Sequence, residues 1–309
     1  MTAALNRIQI DIAVCTFRRL ELQETLHSLA LITVPDAADI RIIVADNDVT
    51  PTAEPLVDQM RPTMPFEIVY VHCPASNISI ARNACLGNSR GHYLAFVDDD
   101  ETVSRTWLVQ LLDVARASGA DAVLGPVRAE YTLSAPNWMR RGDFHSTRPV
   151  WVNGEILTGY TCNVLLDLTR PVLSARWFNL ESGRSGGEDT EFFRHMHAAG
   201  GRIAYAPDAL VFEPVPEKRA RLAWLAKRRF RSGQTHGRLL NQPARAGGRL
   251  VEIARALAKS GYCAAASLVF AASPVTRSRY ALRAIMHAGV VSGLLGVREL
   301  EQYGAVAAR

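Results

Sequence analysis

The sequence lacks the features that most readily identify secreted, membrane-spanning and zinc-binding proteins. Its five cysteines are scattered, and no two have the C-x-x-C spacing of a zinc site or a redox pair. No apolar signal-peptide core follows Met1, and no uninterrupted apolar run reaches the ~18 residues that a spanning helix needs. We therefore expect a cytoplasmic protein without disulfides or a transmembrane helix.

Acidic residues are scarce in the last third of the chain. Residues 216–309 contain 17 Lys and Arg but only 4 Asp and Glu, whereas residues 1–215 contain 18 and 26. A basic segment rich in Leu and Ala favours an anionic partner such as a membrane surface or nucleic acid, although a solvated basic helix face has the same composition. We find no recognisable nucleic-acid-binding motif and expect no such partner.

Strand and helix patterns alternate over about the first 125 residues. Apolar residues alternate with others from Ile8 to Val14, which is typical of a strand. Further strands are predicted over 40–45, 66–71, 93–97 and 122–125, and helices over 18–31, 78–89 and 107–117. This order predicts an α/β fold with a mainly parallel sheet. Ligands bind beyond the carboxyl ends of such strands, where Asp46 and the acids at 98–101 fall.

The chain after residue 216 is predicted to be helical, with breaks near 242–248 and at Pro274. Residues 219–231 mix basic and apolar side chains, and the apolar stretches 262–275 and 281–295 are too short to span a bilayer. These features favour a helix lying in the membrane interface, while a subdomain packed on the catalytic core is the alternative. We divide the chain into a catalytic domain, 1–216, and a basic helical extension, 217–309. The catalytic domain includes a long irregular connection at 130–155.

Three polar motifs are candidates for chemistry. The adjacent acids Asp98 to Glu101 repel one another, and a hard divalent cation that also holds a diphosphate would relieve this; a solvated acidic turn is the alternative. Glu188 and Asp189 begin a predicted helix, where a carboxylate stays ionised and can act as a general base or simply cap the helix. Arg82 suits a phosphate, unless it is an ordinary surface arginine.

Five motifs follow one another along the chain: Thr16-Phe17-Arg18, Asp46, Ala81-Arg82-Asn83, Asp98-Asp99-Asp100 and Glu188-Asp189. In this order they resemble the family 2 glycosyltransferases over about residues 8–215. The stretches 211–219 and 228–234 are similar to those of bacterial exopolysaccharide (succinoglycan-type) members. The resemblance implies the Rossmann-like GT-A fold, a mainly parallel mixed sheet flanked by helices, with the helical extension after it. It also implies inverting transfer from a nucleotide-sugar to a glycan or lipid-linked oligosaccharide, and it favours UDP-hexose as the donor.

The resemblance also implies a role for each matching residue. The nucleotide-sugar pocket would include Thr16, Phe17, Arg18, Asp46 at the base, Arg82 at the base or diphosphate, Asp98 near the ribose, Asp99 and Glu188. Asp100 would be the direct ligand of Mn²⁺ or Mg²⁺, with Asp98 beside it, and Asp189 would be the catalytic base. Two positions depart from the family: Ile78 stands where many members have Gly, and Glu213 where many have a His that can bind the metal. A carboxylate at 213 also suits these ions.

Three other functions are alternatives to glycosyl transfer. A nucleotidyltransferase would share the sheet and the acids but usually has a Gly-rich loop after the first strand, and residues 15–19 contain no Gly. A phosphatase with an aspartyl nucleophile would need Asp-x-Asp there, which is absent. A non-enzymatic protein that binds a membrane surface through its basic third would not need the acids at 98–101 and Asp189.

The expected location is the cytoplasm, peripheral on the inner face of the cell membrane.

Overall fold

A computed structural model of the chain describes residues 7–241 and 246–298. Among these, residues 7–128 and 146–213 form one compact unit, and residues 129–145, 214–241 and 246–298 belong to a second. The division into a catalytic domain at 1–216 and an extension at 217–309 stays a prediction.

The first unit is built on a seven-stranded mixed sheet. The strands of the chain are β1 (Ile8–Thr16), β2 (Ala38–Asp46), β3 (Glu67–His72), β4 (Tyr93–Asp98), β5 (Thr102–Val103), β6 (Ala122–Leu124), β7 (Val127–Tyr131), β8 (Trp151–Val152), β9 (Glu155–Ile156), β10 (Asn163–Asp167), β11 (Ile203–Tyr205) and β12 (Val211–Val215). The main sheet has the order β11-β6-β10-β4-β1-β2-β3, and β5-β12-β7 and β8-β9 form small sheets. All neighbours in the main sheet are parallel except β10, which is antiparallel to β4 and β6. The predicted mainly parallel mixed sheet is therefore confirmed.

Helices cover both faces of this sheet. The helices of the chain are α1 (Leu22–Ala30), α2 (Glu54–Met60), α3 (Ile78–Asn88), α4 (Trp107–Ser118), α5 (Asn137–Gly142), α6 (Glu188–Ala198), α7 (Leu222–Leu240), α8 (Ala246–Val269) and α9 (Pro274–Leu294), with short 3₁₀ helices at Arg61–Thr63 and Leu180–Ser182. Successive residues of β1 point to opposite faces. Ile12 packs in a core with α1, α2 and α4, and Ala13 packs in a second core with α3 and α6.

The irregular connection predicted over 130–155 is partly wrong. Strand β7 continues to Tyr131, helix α5 follows, and β8 pairs with β9 through Trp151 and Ile156. The hairpin turn between them is Asn153-Gly154, and both residues have the positive φ that such a two-residue turn requires. Strand β10 was not predicted at all.

The second unit contains the three long helices of the chain. Helix α9 packs against both α7 and α8. Gly233 and Gly237 of α7 face Gly289 and Gly293 of α9 so closely that a methyl group on Gly233 would collide with the main chain of α9. These backbones touch because none of the four residues has a side chain.

The structure revises the membrane-related segments. Residues 262–275 do not form one element, because they include the end of α8, a turn and the start of α9; the predicted break at Pro274 is confirmed. Of the break predicted at 242–248, residues 242–245 lie outside the described residues, and α8 already begins at Ala246. Within the described ranges, none of the helices combines the length and the apolar character required to cross a bilayer.

Candidate active site

Three candidate residues end neighbouring strands at one edge of the main sheet. Thr16 ends β1 and lies opposite Asp46, the last residue of β2. Asp98 ends β4 and lies opposite Cys15, next to Thr16. The three strands are parallel, so the sheet brings these residues to its carboxyl edge, as the sequence predicts.

Asp46 organises the loop that follows β2. It is fully buried, and its carboxylate accepts hydrogen bonds from the backbone N–H groups of Asp48 (3.0 Å) and Ala53 (2.9 Å). The Tyr70 hydroxyl also donates to it, at 2.8 Å. Burial, together with this neighbouring carboxylate, raises the pKa of Tyr70. The contact of Asp46 with the base of the nucleotide stays a prediction.

The segment after β1 is held over this loop. Arg18 has a left-handed backbone (φ 54°), and its Nε donates to Asp48 at 2.8 Å. Its guanidinium also lies 5.3 Å from the centre of the Phe17 ring. The hydrogen bond from Arg18 holds the pKa of Asp48 below its ordinary value. Asp48 was not among the sequence candidates, although it belongs to the acidic turn that follows β2.

The turn after β4 is not the solvated acidic turn that was the alternative interpretation. Asp99 and Glu101 are 7% and 2% exposed, and Asp98 is half-buried. Glu101 closes the turn by accepting a hydrogen bond from the Asp98 N–H at 3.1 Å. Burial raises the pKa values of Asp98 and Asp99 to about 7, and that of Glu101 well above its ordinary range. These acids therefore retain protons near neutrality unless a cation replaces them.

Further charged groups converge on Asp98. Arg82 opposes the rise in the pKa of Asp98, while the charges of Asp100, Glu213 and Asp189 add to it. The sequence predicted this convergence from separate motifs. It missed Arg19, whose guanidinium lies 3.2 Å from the Asp100 carboxylate and 3.9 Å from that of Asp99.

Arg82 is a buried residue rather than a surface arginine. It is 5% exposed and forms an ion pair with Glu188, which is 2% exposed. Its guanidinium also lies 5.6 Å from the centre of the Phe178 ring. Burial raises the pKa of Glu188 and Arg82 counteracts the rise. The second oxygen of Glu188, Oε2, has no hydrogen-bond partner within the described ranges.

Helix α3 fixes the loop that leads to the candidate base. The Asn77 side chain accepts from the Ser79 N–H, capping the helix, and donates to the Leu180 carbonyl at 2.9 Å. The Asn83 side chain accepts a hydrogen bond from the Phe178 N–H at 2.8 Å and donates one to the Phe178 carbonyl at 2.9 Å. The backbone of Ile78, where many members of the resembled family have Gly, donates to Gly183 at 3.1 Å.

Asp189 is the second residue of α6 and is half-buried. Gly186 and Gly187 precede the helix with φ values of 85° and 88°, a conformation that favours glycine. The Thr190 N–H donates to the Asp189 carboxylate at 2.6 Å. Asp189 thus stands at a helix start, next in sequence to the Arg82–Glu188 pair.

The donor chemistry of the site fits a hard divalent cation only in part. No group of three or more His, Cys, Asp and Glu side chains within residues 7–241 and 246–298 has the geometry of a complete metal site. The available donors are carboxylates, which Mg²⁺ and Mn²⁺ prefer. Burial and neighbouring carboxylates raise the pKa values of Asp98 and Asp99, and a cation would oppose this rise. These carboxylates would suit an ion that takes some of its ligands from phosphate oxygens, because these ranges offer no complete protein site.

Comparisons with known proteins identify the family of the chain. The family model described as "Glycosyl transferase family 2" matches residues 11–168. "Succinoglycan biosynthesis protein ExoM" of Rhizobium meliloti (strain 1021) is 63% identical over 298 residues, which cover 96% of each chain.

Two solved structures share the fold. The mannosyltransferase PcManGT from Pyrobaculum calidifontis, in complex with GDP-Man and Mn²⁺, is 18% identical with a TM-score of 0.64, covering 94% of this chain and 88% of its own. S. aureus TarS 1–349, in complex with UDP-GlcNAc, is 16% identical with a TM-score of 0.53, covering 96% of this chain and 99% of its own.

Proposed function

The chain belongs to glycosyl transferase family 2, and we propose that it transfers a hexose from a UDP-sugar to a hydroxyl of a glycan or lipid-linked oligosaccharide, with inversion. It is a glycosyltransferase with the GT-A fold. The name of its 63%-identical relative supports a role in making an exopolysaccharide. The observation that carries the proposal is the placement of Thr16, Asp46 and Asp98 at neighbouring strand ends on the carboxyl edge of the sheet. The carboxylates of Asp100, Glu213 and Asp189 are near enough to Asp98 to raise its pKa.

The donor side of the reaction is assigned to the strand ends. Asp100 and Asp98 would hold Mn²⁺ or Mg²⁺, with Glu213 as a further ligand. A cation there would offset the charge that develops on the departing diphosphate. Because burial raises the pKa of Asp98 to about 7, part of the free protein carries a proton there at neutral pH, and the cation would displace it.

The nucleotide-sugar itself is assigned to the surrounding residues. We assign the pocket to Thr16, Phe17, Arg18, Asp46, Arg82, Asp99 and Glu188. Arg82 already pairs with Glu188, so its contribution to the diphosphate would be made from a fixed position.

Asp189 is assigned to the acceptor side. As general base it would take the proton of the acceptor hydroxyl while that oxygen attacks the anomeric carbon. The new C–O bond forms as the bond to the diphosphate breaks on the opposite face, so the anomeric configuration inverts. The Asp189 carboxylate accepts a hydrogen bond from the Thr190 N–H, and the adjacent Glu188 is paired with Arg82. These contacts would restrict the position of the base, which assists proton transfer.

We also propose where the enzyme works. A lipid-linked acceptor would place the protein in the cytoplasm, peripheral on the inner face of the membrane. Residues 1–216 would supply the catalytic domain, and residues 217–309 the basic helical extension.

The test is the replacement Asp189→Asn, which preserves shape but cannot accept the proton. Release of nucleoside diphosphate from UDP-, GDP- and TDP-sugars is measured with Mn²⁺ and acceptor. We expect turnover to fall roughly 10²–10⁴-fold while donor affinity is retained, as for the loss of a general base. Asp113→Asn, at an exposed position of α4, is the matched control and should behave as wild type.

Two outcomes would contradict the proposal. Near-normal turnover by Asp189→Asn would remove that residue from the chemistry. If the wild-type protein releases no nucleoside diphosphate from any donor but joins a nucleoside triphosphate to a sugar phosphate, the enzyme is a nucleotidyltransferase instead.

A further inference from the structure

Helix α8 exposes a continuous apolar surface. The large apolar side chains of this surface, which we call the α8 apolar face, belong to Leu250, Val251, Leu257, Tyr262, Leu268 and Val269. Their exposed fractions range from 49% to 79%. Large apolar side chains are seldom this exposed as a group on a protein that is surrounded only by water.

The face is continuous along the helix. Leu250, Leu257 and Leu268 are separated by 7 and 11 residues, spacings that return to the same side of an α-helix. The exposed positions between them are filled by small residues, namely Ala254, Ala258, Gly261, Ala264 and Ala265. Because α8 has 24 residues, it is about 36 Å long, and the face extends along most of that length.

The opposite side of α8 is already occupied. Ala256, Cys263 and Ala266 are buried, and α8 packs against α9. The apolar face is therefore the side of the helix that this packing leaves uncovered within the second unit as the structure describes it.

Basic side chains border the face. Arg255 and Lys259 are exposed, and Lys259 lies four residues from Arg255 and three from Tyr262, so the three are neighbours on the helix surface. Residues 246–298 contain seven Lys and Arg but one acid, Glu252, which pairs with Arg255 at 2.6 Å. Seven basic groups against one acid give residues 246–298 a strongly positive net charge.

This combination selects the partner. An apolar face with a basic border fits a surface that offers hydrocarbon beneath negative charge, which is an anionic lipid bilayer. A second copy fits less well, because two-fold pairing through this face would bring the same basic border against itself.

We propose that the α8 apolar face lies in the interface of an anionic bilayer, with the helix parallel to the membrane plane. The inference extends the peripheral location given in the proposed function and names the element that inserts. The sequence patterns had pointed to residues 219–231 and to the apolar stretches 262–275 and 281–295. In the structure, the latter stretch belongs to α9, which packs against two helices.

Vesicle sedimentation of the full chain tests the proposal. We compare phosphatidylcholine vesicles with vesicles containing one-quarter phosphatidylglycerol, at low and high salt. Wild type should bind the anionic vesicles, bind neutral ones weakly and be partly released by salt, since exposed charges are screened beyond about 8–10 Å. Leu257→Ser with Leu268→Ser should weaken partitioning about tenfold or more, because both side chains would leave the hydrocarbon.

Two further variants make the test specific. Leu31→Ser with Leu133→Ser changes two exposed leucines outside α8 and should leave binding unchanged. Arg255→Gln with Lys259→Gln should reduce binding to anionic vesicles and also reduce its salt dependence. Circular dichroism and urea unfolding must show that each variant is folded.

Three results would overturn the proposal. These are no binding of wild type to anionic vesicles at low salt, equal loss of binding in the control pair, and a wild-type dimer that Leu257→Ser with Leu268→Ser converts to monomers. The last would make the face an interface between copies. The assay needs no sugar donor, so its failure and a failure of the proposed glycosyl transfer are read separately.

Discussion

Glu188→Gln and Arg82→Met remove opposite partners of one buried ion pair, and we expect their costs to depend differently on pH. Glu188→Gln leaves a buried guanidinium that cannot lose its proton. Removing one partner of such a pair costs about 3–5 kcal/mol of unfolding free energy. This cost should be the same at pH 6 and pH 8.

Arg82→Met leaves a carboxyl group that can become neutral. Burial already raises the pKa of Glu188, and the variant removes the charge that opposes the rise. The folded variant then holds a proton that the unfolded chain, with an ordinary glutamate pKa of about 4.3, has released. Stability therefore falls as pH rises, by about 1.4 kcal/mol per unit, or up to about 2.8 kcal/mol between pH 6 and pH 8.

The measurement is urea unfolding of wild type, both single variants and the double variant at the two pH values, without metal. Wild type is measured at each pH because Asp98 and Asp99, with pKa values of about 7, also titrate in this range. The double variant should recover much of the loss, since it leaves no unpaired charge. A pH-independent loss for Arg82→Met, equal to that of Glu188→Gln, would refute the reasoning.

Three other predictions concern the helix packing, the metal ligand and the protons that the metal displaces. Gly233→Ala should lower the unfolding free energy by about 1–3 kcal/mol or more, because the added methyl group meets the backbone of α9. Gly261→Ala places its methyl group in open space and should be neutral or slightly stabilising in thermal unfolding. Asp100→Asn should abolish the Mn²⁺-dependent part of nucleotide-sugar binding measured by calorimetry, and unchanged affinity in excess Mn²⁺ would contradict the metal assignment. In wild type, Mn²⁺-dependent donor binding should release protons at pH 6.5 and few at pH 8.5, because Asp98 and Asp99 have pKa values of about 7 in the free protein. A binding heat at pH 6.5 that does not depend on the ionisation enthalpy of the buffer would argue against this.

The sequence predicted the strand ends because that information is local. The alternation in β1 and the apolar runs of β2 and β4 indicate where each strand stops, so Asp46 and Asp98 could be placed at the carboxyl edge. Strand β10 is different: it is short and buried on all sides, and its antiparallel place between β4 and β6 depends on residues far away in the chain. No periodicity within five residues reports such a partner.

The same limit applies within the site. The sequence could select Arg82 and Glu188 as charged residues in suggestive motifs, but their pairing joins positions 106 residues apart. Asp48 and Arg19 were missed because each lies beside a stronger motif and its significance comes from a contact with Arg18 or Asp100. Residue type and spacing identify groups that can do chemistry, while the fold decides which charges meet.

Helix α8 shows why a hydrophobic pattern cannot by itself identify an inserting surface. Apolar residues occur around much of this helix, so its periodicity does not distinguish the side that packs from the side that is exposed. The close contact of Gly233 with α9 fixes one side of α9 on α7, and α8 takes another. That packing uses Ala256 and Cys263 of α8, small residues that fit against a helix, and leaves the leucines outside. Exposed leucines gain nothing from contact with water, whereas insertion into the interface of a bilayer would bury them.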